Sequence, residues 1–208
     1  MDNRKLLEVE KKLLFETKEV PEELKPGYEL CIEAHALLNE GRMVDAIELL
    51  EKAVPLFQKG NGLKELANVL DLLGDLYHLR GNIKKALSAY KACLDVCETA
   101  EDEISTAVIS EKIAHVYREL KEYSKMIPYL YRMLEIAEKF GDAHRAARAL
   151  AGIGDANRAK GELQTAKEAY EIAFKIYQGL GASKLAEVVK KGLEQVEKEL
   201  NLSENTQK

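Results

Sequence analysis

The sequence predicts an all-α protein, and three observations support this prediction. The chain is rich in Leu, Ala, Glu and Lys, which are strong helix formers, and only four of its 208 residues are proline. Apolar residues recur at helical spacing along most of the chain, and turn residues interrupt them at intervals. The same pattern of small, apolar and aromatic residues returns every 40 residues, which is typical of tandem helical hairpins.

The repeat is anchored on one column of residues, each 40 positions from the next: Gly41, Gly81, Lys121 and Gly161. Seven positions before the anchor every residue is small, and nine positions after it every residue is Leu or Tyr. These two columns are Ala34, Gly74, Ala114 and Gly154, and Leu50, Tyr90, Leu130 and Tyr170. Because several columns keep one fixed spacing, the sequence predicts four repeats, with bounds at 27–61, 62–101, 102–141 and 142–181.

Each repeat is predicted to be two helices joined by a turn. In the second repeat the helical spacing stops at Gly81 and starts again after Asn82, which is a suitable N-cap for the next helix. Gly74 and Ala86 are small, so we expect the backbones of the two helices to approach closely there. The aromatic column is expected to fill the space between neighbouring hairpins.

The two ends of the chain fit the same architecture. Residues 3–18 are predicted to form an amphipathic N-terminal helix, and residues 183–200 a helix that caps the last repeat, since a terminal unit needs one polar face. Residues 201–208 are polar and are predicted to be disordered. The whole of 1–208 is thus predicted to be a single repeat domain.

The second repeat places a small residue, a Tyr, an Ala and an aromatic residue at Gly74, Tyr77, Ala86 and Tyr90. This order and spacing resemble the tetratricopeptide repeat, and the resemblance covers about residues 27 to 181. The unit is longer than the usual ~34 residues, which makes the chain similar to kinesin light chains, Pins-type spindle adaptors and peptide-sensing bacterial regulators. The resemblance implies a right-handed α-solenoid and a binding protein without a cofactor.

Composition bears on the kind of partner and on the location. The 31 basic and 36 acidic residues leave a net charge of −5, which does not indicate nucleic acid as a partner. No apolar run approaches the ~20 residues that span a bilayer, and Met1 is followed by charged residues rather than an apolar signal core. We therefore expect no membrane partner and a cytoplasmic location.

Three cysteines were considered as ligands or as disulfide partners. Cys31, Cys93 and Cys97 are an odd number and lie within helical patterns, so a disulfide framework is not indicated. Cys93 and Cys97 are four residues apart, a spacing that can serve a metal ion. Both fall in apolar columns, however, so we expect small core residues and no metal.

A column of alternating His and Asp, six positions before the anchor, was considered for acid–base chemistry. Its members, His35, Asp75, His115 and Asp155, lie on successive hairpins about 10 Å apart at ordinary helix-packing distances, too far to share a proton. The resemblance instead implies that this column points into a concave groove formed by the first helices. The predicted peptide-binding residues are Asn68, Asp71, Asp75, His78, Glu111, His115, Arg118, Arg148, Asp155 and Arg158.

The sequence therefore predicts a non-catalytic adaptor that binds a peptide or protein segment in the groove, with no metal and no cofactor. Acidic residues of the partner are expected over the C-terminal half and basic ones over the second repeat. A solvated face is the alternative for the groove, with Asp155 pairing to Arg158 and also to its neighbour Arg118. A self-assembly module and, third, a peptide-sensing regulator are the alternatives for function. The family's carboxylate clamp uses Asn where this chain has His or Asp, which disfavours chaperone tails as ligands.

Overall fold

A computed structural model of the protein describes the backbone of residues 20–206 and the side chains of residues 20–202. This part of the chain contains nine α-helices and no strand, so the predicted all-α class is confirmed. None of these helices is long and apolar enough to cross a membrane. The predicted helix at 3–18 lies outside the described residues. The helices are α1 Lys25–Asn39, α2 Met43–Lys59, α3 Leu63–Leu79, α4 Ile83–Thr99, α5 Glu103–Glu119, α6 Tyr123–Lys139, α7 Ala143–Lys160, α8 Leu163–Gly179 and α9 Ser183–Thr206.

The turns give the chain a regular step of 20 residues. A residue with positive φ follows each helix from α1 to α8, and these residues are spaced 20 apart. Five of the eight are glycine, which adopts this conformation without steric cost. The other three hold a side chain in the left-handed region, which is less favourable. The residues are Gly41, Asn61, Gly81, Glu101, Lys121, Gly141, Gly161 and Gly181.

Side chains in the turns also cap the helices that follow. The Asn82 side chain accepts a hydrogen bond from the Lys85 amide at 3.3 Å, which confirms the predicted N-cap. Asp142 accepts one from the Arg145 amide at 2.9 Å. A side-chain acceptor here satisfies one of the amides that have no partner within the helix.

The chain divides into two compact units, with the boundary between Ser105 and Thr106. This boundary lies in the first turn of α5, so the first unit contains the hairpins α1–α2 and α3–α4. The second unit contains α5–α6, α7–α8 and the final helix α9. The prediction of a single domain over 1–208 stays a prediction.

Within a hairpin, a small residue on the first helix makes room for a tyrosine on the second. A Cβ atom on Gly74 would lie 2.4 Å from Cε1 of Tyr90, and one on Gly154 would lie 2.7 Å from Cδ1 of Tyr170. We expected two backbones to meet at the small column, but an aromatic ring occupies the space. The first and third repeats combine Ala with Leu in the same two columns: Ala34 with Leu50, and Ala114 with Leu130.

The last helix, α9, continues the register of the first helices of each hairpin. Its buried Val189 and Val196 lie 40 residues after Ala149 and Ala156 of α7, which are also buried. α9 extends to Thr206, so residues 201–206, which we predicted to be disordered, are helical. The reason is that no Gly or Pro follows Gly192 to stop the helix.

α9 carries charged side chains at positions that are apolar, small or buried in α7. Lys190, Glu194 and Glu197 stand at the positions that Leu150, Gly154 and Asn157 occupy in α7. Two ion pairs involve these charged side chains. They join Lys190 to Glu194 at 3.6 Å, and Lys167 of α8 to Glu197 at 3.4 Å. A polar outer face is what a capping helix of a repeat protein requires.

The three cysteines are buried free thiols, and the burial of Cys93 and Cys97 was predicted from their columns. Cys93 donates a hydrogen bond to the carbonyl oxygen of Ala67, and its Sγ lies 4.0 Å from Sγ of Cys97. Burial raises the pKa of the Cys31 thiol to about 12. The hydrogen bond with Cys93 lowers the pKa of Cys97. That these thiols bind no metal stays a prediction.

Candidate functional site

The second unit contains a cavity of about 270 Å³. Side chains of the first helices α5 and α7 and of α9 form its walls. Its floor comes from the second helices of the two hairpins, through Leu130, Met133, Tyr170 and Tyr177. Five of the ten residues predicted to bind a peptide line this cavity. They are Glu111, His115 and Arg118 on α5, and Arg148 and Asp155 on α7.

Two glycines in the cavity wall allow the floor to approach the helices closely. A Cβ atom on Gly152 of α7 would lie 3.0 Å from Leu130. One on Gly192 of α9 would lie 3.0 Å from the ring of Tyr170. Glycine inside a helix costs about 1 kcal/mol relative to alanine, so two of them at one site indicate a packing requirement. In the first unit, the position of Gly152 is occupied by the buried Leu72.

Two ion pairs connect α5 to α7 at the rim of the cavity. In one the arginine is on α5, and in the other it is on α7. Arg118 of α5 lies 3.4 Å from Asp155 of α7, and Arg148 of α7 lies 2.8 Å from Glu111 of α5. All four side chains are more than a third exposed, so each pair contributes at most about 1 kcal/mol to stability. Their four charges cancel, and the rim carries no net charge from them.

Asp155 also accepts a hydrogen bond from Tyr170, a residue of the cavity floor. The Tyr170 hydroxyl donates to Asp155 at 2.6 Å, and burial together with this carboxylate raises the pKa of Tyr170. The first unit repeats the arrangement, with the Tyr90 hydroxyl donating to Asp75 at 2.7 Å. The carboxylate of Asp155 therefore orients Arg118 while it satisfies a buried hydroxyl.

This bond explains the alternation of Asp and His that the sequence shows. Asp occurs in the repeats that have Tyr fifteen residues later, and His occurs in those that have Leu there. The sequence analysis treated the column as one set of groove residues and missed the dependence on the second helix. The paired change between the two columns was the signal that could have revealed it. The pairs are Asp75 with Tyr90, Asp155 with Tyr170, His35 with Leu50, and His115 with Leu130.

Arg158 has a structural partner at the end of the second unit. Its guanidinium contacts Glu199 of α9 at 2.7 Å and 3.1 Å, and it donates to Gln195 at 2.5 Å. The hydrogen bond to Glu199 raises the pKa of Arg158. The solvated-face alternative paired Asp155 with both Arg158 and Arg118, and in the structure the ion pair of Asp155 is with Arg118. Arg158 connects α7 to α9 and is not a wall residue of the cavity.

The other predicted residues lie in the first unit. Asn68, Asp71, Asp75 and His78 are all half-buried on α3. They belong to a different unit from the cavity, and their role in binding stays a prediction.

Four residues of α9 that line the cavity were not predicted from the sequence: Leu185, Val188, Val189 and Gly192. Of these, Val188 is 66% exposed. From the sequence, α9 was predicted only as a cap. Val188 stands 40 residues after Arg148, in a column that we assigned to the groove, so an extension of the repeat register into α9 would have found it.

The repeats of this chain match a known family of repeat sequences. The sequence model of the tetratricopeptide repeat matches residues 30–99 and 105–179. The Tonsoku-like protein of Bos taurus is 31% identical over 134 residues, which are 61% of this chain and 10% of that protein. Tetratricopeptide repeat protein 29 of Trypanosoma brucei brucei is 26% identical over 152 residues, which are 73% of this chain and 32% of that protein. The chain therefore spans a third or less of the length of these curated relatives.

Solved structures have a similar fold at low sequence identity. The apo form of RapI superposes with a TM-score of 0.75 at 16% identity, over 95% of this chain and 54% of that one. BtubC from P. vanneervenii superposes with a TM-score of 0.60 at 17% identity, over 96% of this chain and 92% of that one. At such identities the likeness shows the fold alone.

Proposed function

Because the chain belongs to the tetratricopeptide repeat family, whose repeats are generally scaffolds for protein–protein interactions, we propose that it binds an extended segment of a partner protein at the cavity of the second unit. The convergence of five predicted groove residues on one cavity is the observation that carries this proposal. The proposed role is binding without catalysis, with no metal and no cofactor.

The chemistry of the cavity supports a peptide ligand. Its floor is apolar, and its rim has two arginines, two carboxylates and His115. An apolar surface with a few polar groups around it is the usual composition of a ligand pocket. At about 270 Å³ it is slightly below the ~300–1,000 Å³ of pockets for drug-sized ligands, so it suits a side chain with its adjoining backbone rather than a folded domain.

The rim is also held in place before any ligand arrives. Arg118 is oriented by Asp155, which is in turn bonded to Tyr170, and Arg148 is paired with Glu111. Side chains that are already ordered lose less entropy on binding than free ones. Preorganisation of this kind favours a receptor that holds a flexible segment.

A blocking substitution with a matched control tests the proposal. A displayed library of random peptides is selected against the full chain, and the affinity of the selected peptides is then measured by fluorescence polarisation. Ala151→Trp places an indole in the cavity wall and should abolish binding. Ala159→Trp adds the same bulk to an exposed position of α7 outside the cavity and should have no effect.

The melting temperatures of both variants must be close to that of the unchanged chain. If the selected peptides bind Ala151→Trp as well as they bind the unchanged chain, the cavity is not the site. Light scattering at high protein concentration tests the self-assembly alternative. A concentration-dependent dimer, in the absence of any selectable peptide, would favour that alternative.

A further inference from the structure

The walls of the cavity indicate which kind of segment it accepts. Resting on the proposed function, we infer that the partner inserts one uncharged apolar side chain of about leucine size between α7 and α9. The charged rim positions the flanking backbone and contributes little affinity. The ligand class is therefore an apolar, uncharged peptide segment rather than an acidic one.

The exposed apolar residues of α9 are the first line of support. Up to Leu200, every exposed residue of this helix is polar or charged except Leu185 and Val188. Single exposed apolar residues are common on protein surfaces. These two are three residues apart on one face of the helix, and both line the cavity. Their position indicates that an apolar group of a ligand covers them.

The floor beneath these residues is apolar as well. Leu130, Met133, Tyr170 and Tyr177 are all buried, with at most 4% of each side chain exposed. Two floor residues carry hydroxyls, Tyr170 and Tyr177, and that of Tyr170 is already bonded to Asp155. A charged group inserted against this apolar floor would lose its hydration, which is unfavourable unless the charge is paired. An aliphatic side chain incurs no such cost.

The rim offers no net attraction for an acidic partner. Arg118 and Arg148 are each paired with a carboxylate of the chain itself. An acidic ligand at Arg118 would share the guanidinium with Asp155, which also accepts a hydrogen bond from the Tyr170 hydroxyl. Because the charge of Arg118 is already compensated, little free energy would be gained. This argues against the expectation that acidic residues of the partner lie over the C-terminal half.

Small blocked amino acids serve as direct probes. Methyl NMR spectra of the full chain are recorded with N-acetyl-leucinamide, N-acetyl-glutamic acid amide and N-acetyl-lysinamide. N-acetyl-leucinamide should shift the methyl signals of Val188, Val189 and Met133, with a Kd on the order of 1 mM for so small a ligand. The two charged probes should leave these signals in place. Equal shifts from all three probes would overturn the inference.

The peptides selected from the library provide the second readout. Val188→Lys should weaken their binding about tenfold or more, since it removes apolar contact area and adds a charge. Ile172→Lys is the matched control, because Ile172 is an exposed apolar residue of α8 that does not line the cavity. It should change the affinity less than about twofold. The affinity should also vary little with salt. Salt screens exposed ion pairs strongly, and the proposed apolar contact does not depend on them.

The opposite pattern would overturn the inference. Peptides rich in Asp or Glu, whose affinity falls steeply with salt and survives Val188→Lys, would show electrostatic recognition. If Ala151→Trp still abolished their binding, the proposed function would stand, and only the inference that the ligand inserts an apolar side chain would be wrong. If Ala151→Trp had no effect, both would be wrong.

Discussion

The contact between Gly74 and Tyr90 predicts the effect of adding one methyl group. In Gly74→Ala, the new Cβ would lie 2.4 Å from Cε1 of Tyr90, about 1 Å inside an ordinary contact. The ring cannot move away freely, because it is 2% exposed and its hydroxyl is bonded to Asp75 at 2.7 Å. Overpacking of this kind costs about 1–3 kcal/mol. The gain in helix propensity offsets about 1 kcal/mol of that cost.

We therefore expect Gly74→Ala to lower the free energy of unfolding by up to about 2 kcal/mol. The same change in a Tyr90→Leu background should instead raise it by about 1 kcal/mol, since only the propensity gain remains. Ala with Leu is the combination found in the first and third repeats, as in Ala34 with Leu50. The two substitutions should thus be coupled by about 1–3 kcal/mol, which is the overpacking cost itself.

Urea unfolding followed by circular dichroism measures the four members of this double-mutant cycle. Gly179→Ala is the control, because a Cβ atom there meets nothing within 4 Å, and it should be neutral or slightly stabilising. Additive effects of Gly74→Ala and Tyr90→Leu would refute the reasoning. They would show that the glycine does not serve to accommodate the ring.

Three further predictions concern the thiols, a turn and α9. Burial raises the pKa of Cys31 to about 12, so above about pH 9 the unfolded chain loses this proton and the folded chain keeps it. Stability should fall by about 1 kcal/mol at about pH 10. Cys31→Ala should remove that loss of stability in urea titrations. Zinc or EDTA should leave the melting temperature unchanged. A zinc-induced rise of the melting temperature that Cys93→Ser abolishes would contradict a core role for Cys93. Lys121→Gly should stabilise the chain by about 1 kcal/mol by relieving a φ of 57°, and an unchanged urea midpoint would argue against strain there. Arg158→Gln should cost about 1 kcal/mol and increase amide hydrogen exchange in α9, whereas unchanged exchange would show that the contact with Glu199 does not hold the helix.

The helices of the described chain could be predicted from sequence because their signals are local. Apolar spacing, turn residues and a cap such as Asn82 act between residues that are at most a few positions apart. The burial of Cys93 and Cys97 followed from their columns for the same reason. The end of α9 was the exception, since polar residues without a Gly or Pro are compatible with a helix as well as with a coil.

The candidate site was only partly predictable. The register predicted ten groove residues, and five of them line the cavity of the second unit. It did not decide their partners. Asp155 pairs with Arg118, which is 37 residues away, although the sequence also offered Arg158, three residues away. Which pair forms depends on the spacing of neighbouring helices and on side-chain rotamers, and neither is encoded in a local pattern.

The sequence by itself therefore determined the fold class, the 40-residue period and the residues available to each helix face. These depend on the helical repeat of the backbone and on which positions are apolar. Only the tertiary structure decided that Tyr90 and Tyr170 fill the space beside glycines, and that Leu185 and Val188 line a cavity. The physical reason is that these features arise between helices about 15 to 40 residues apart in the chain, where close packing selects one arrangement among many that share the same apolar pattern.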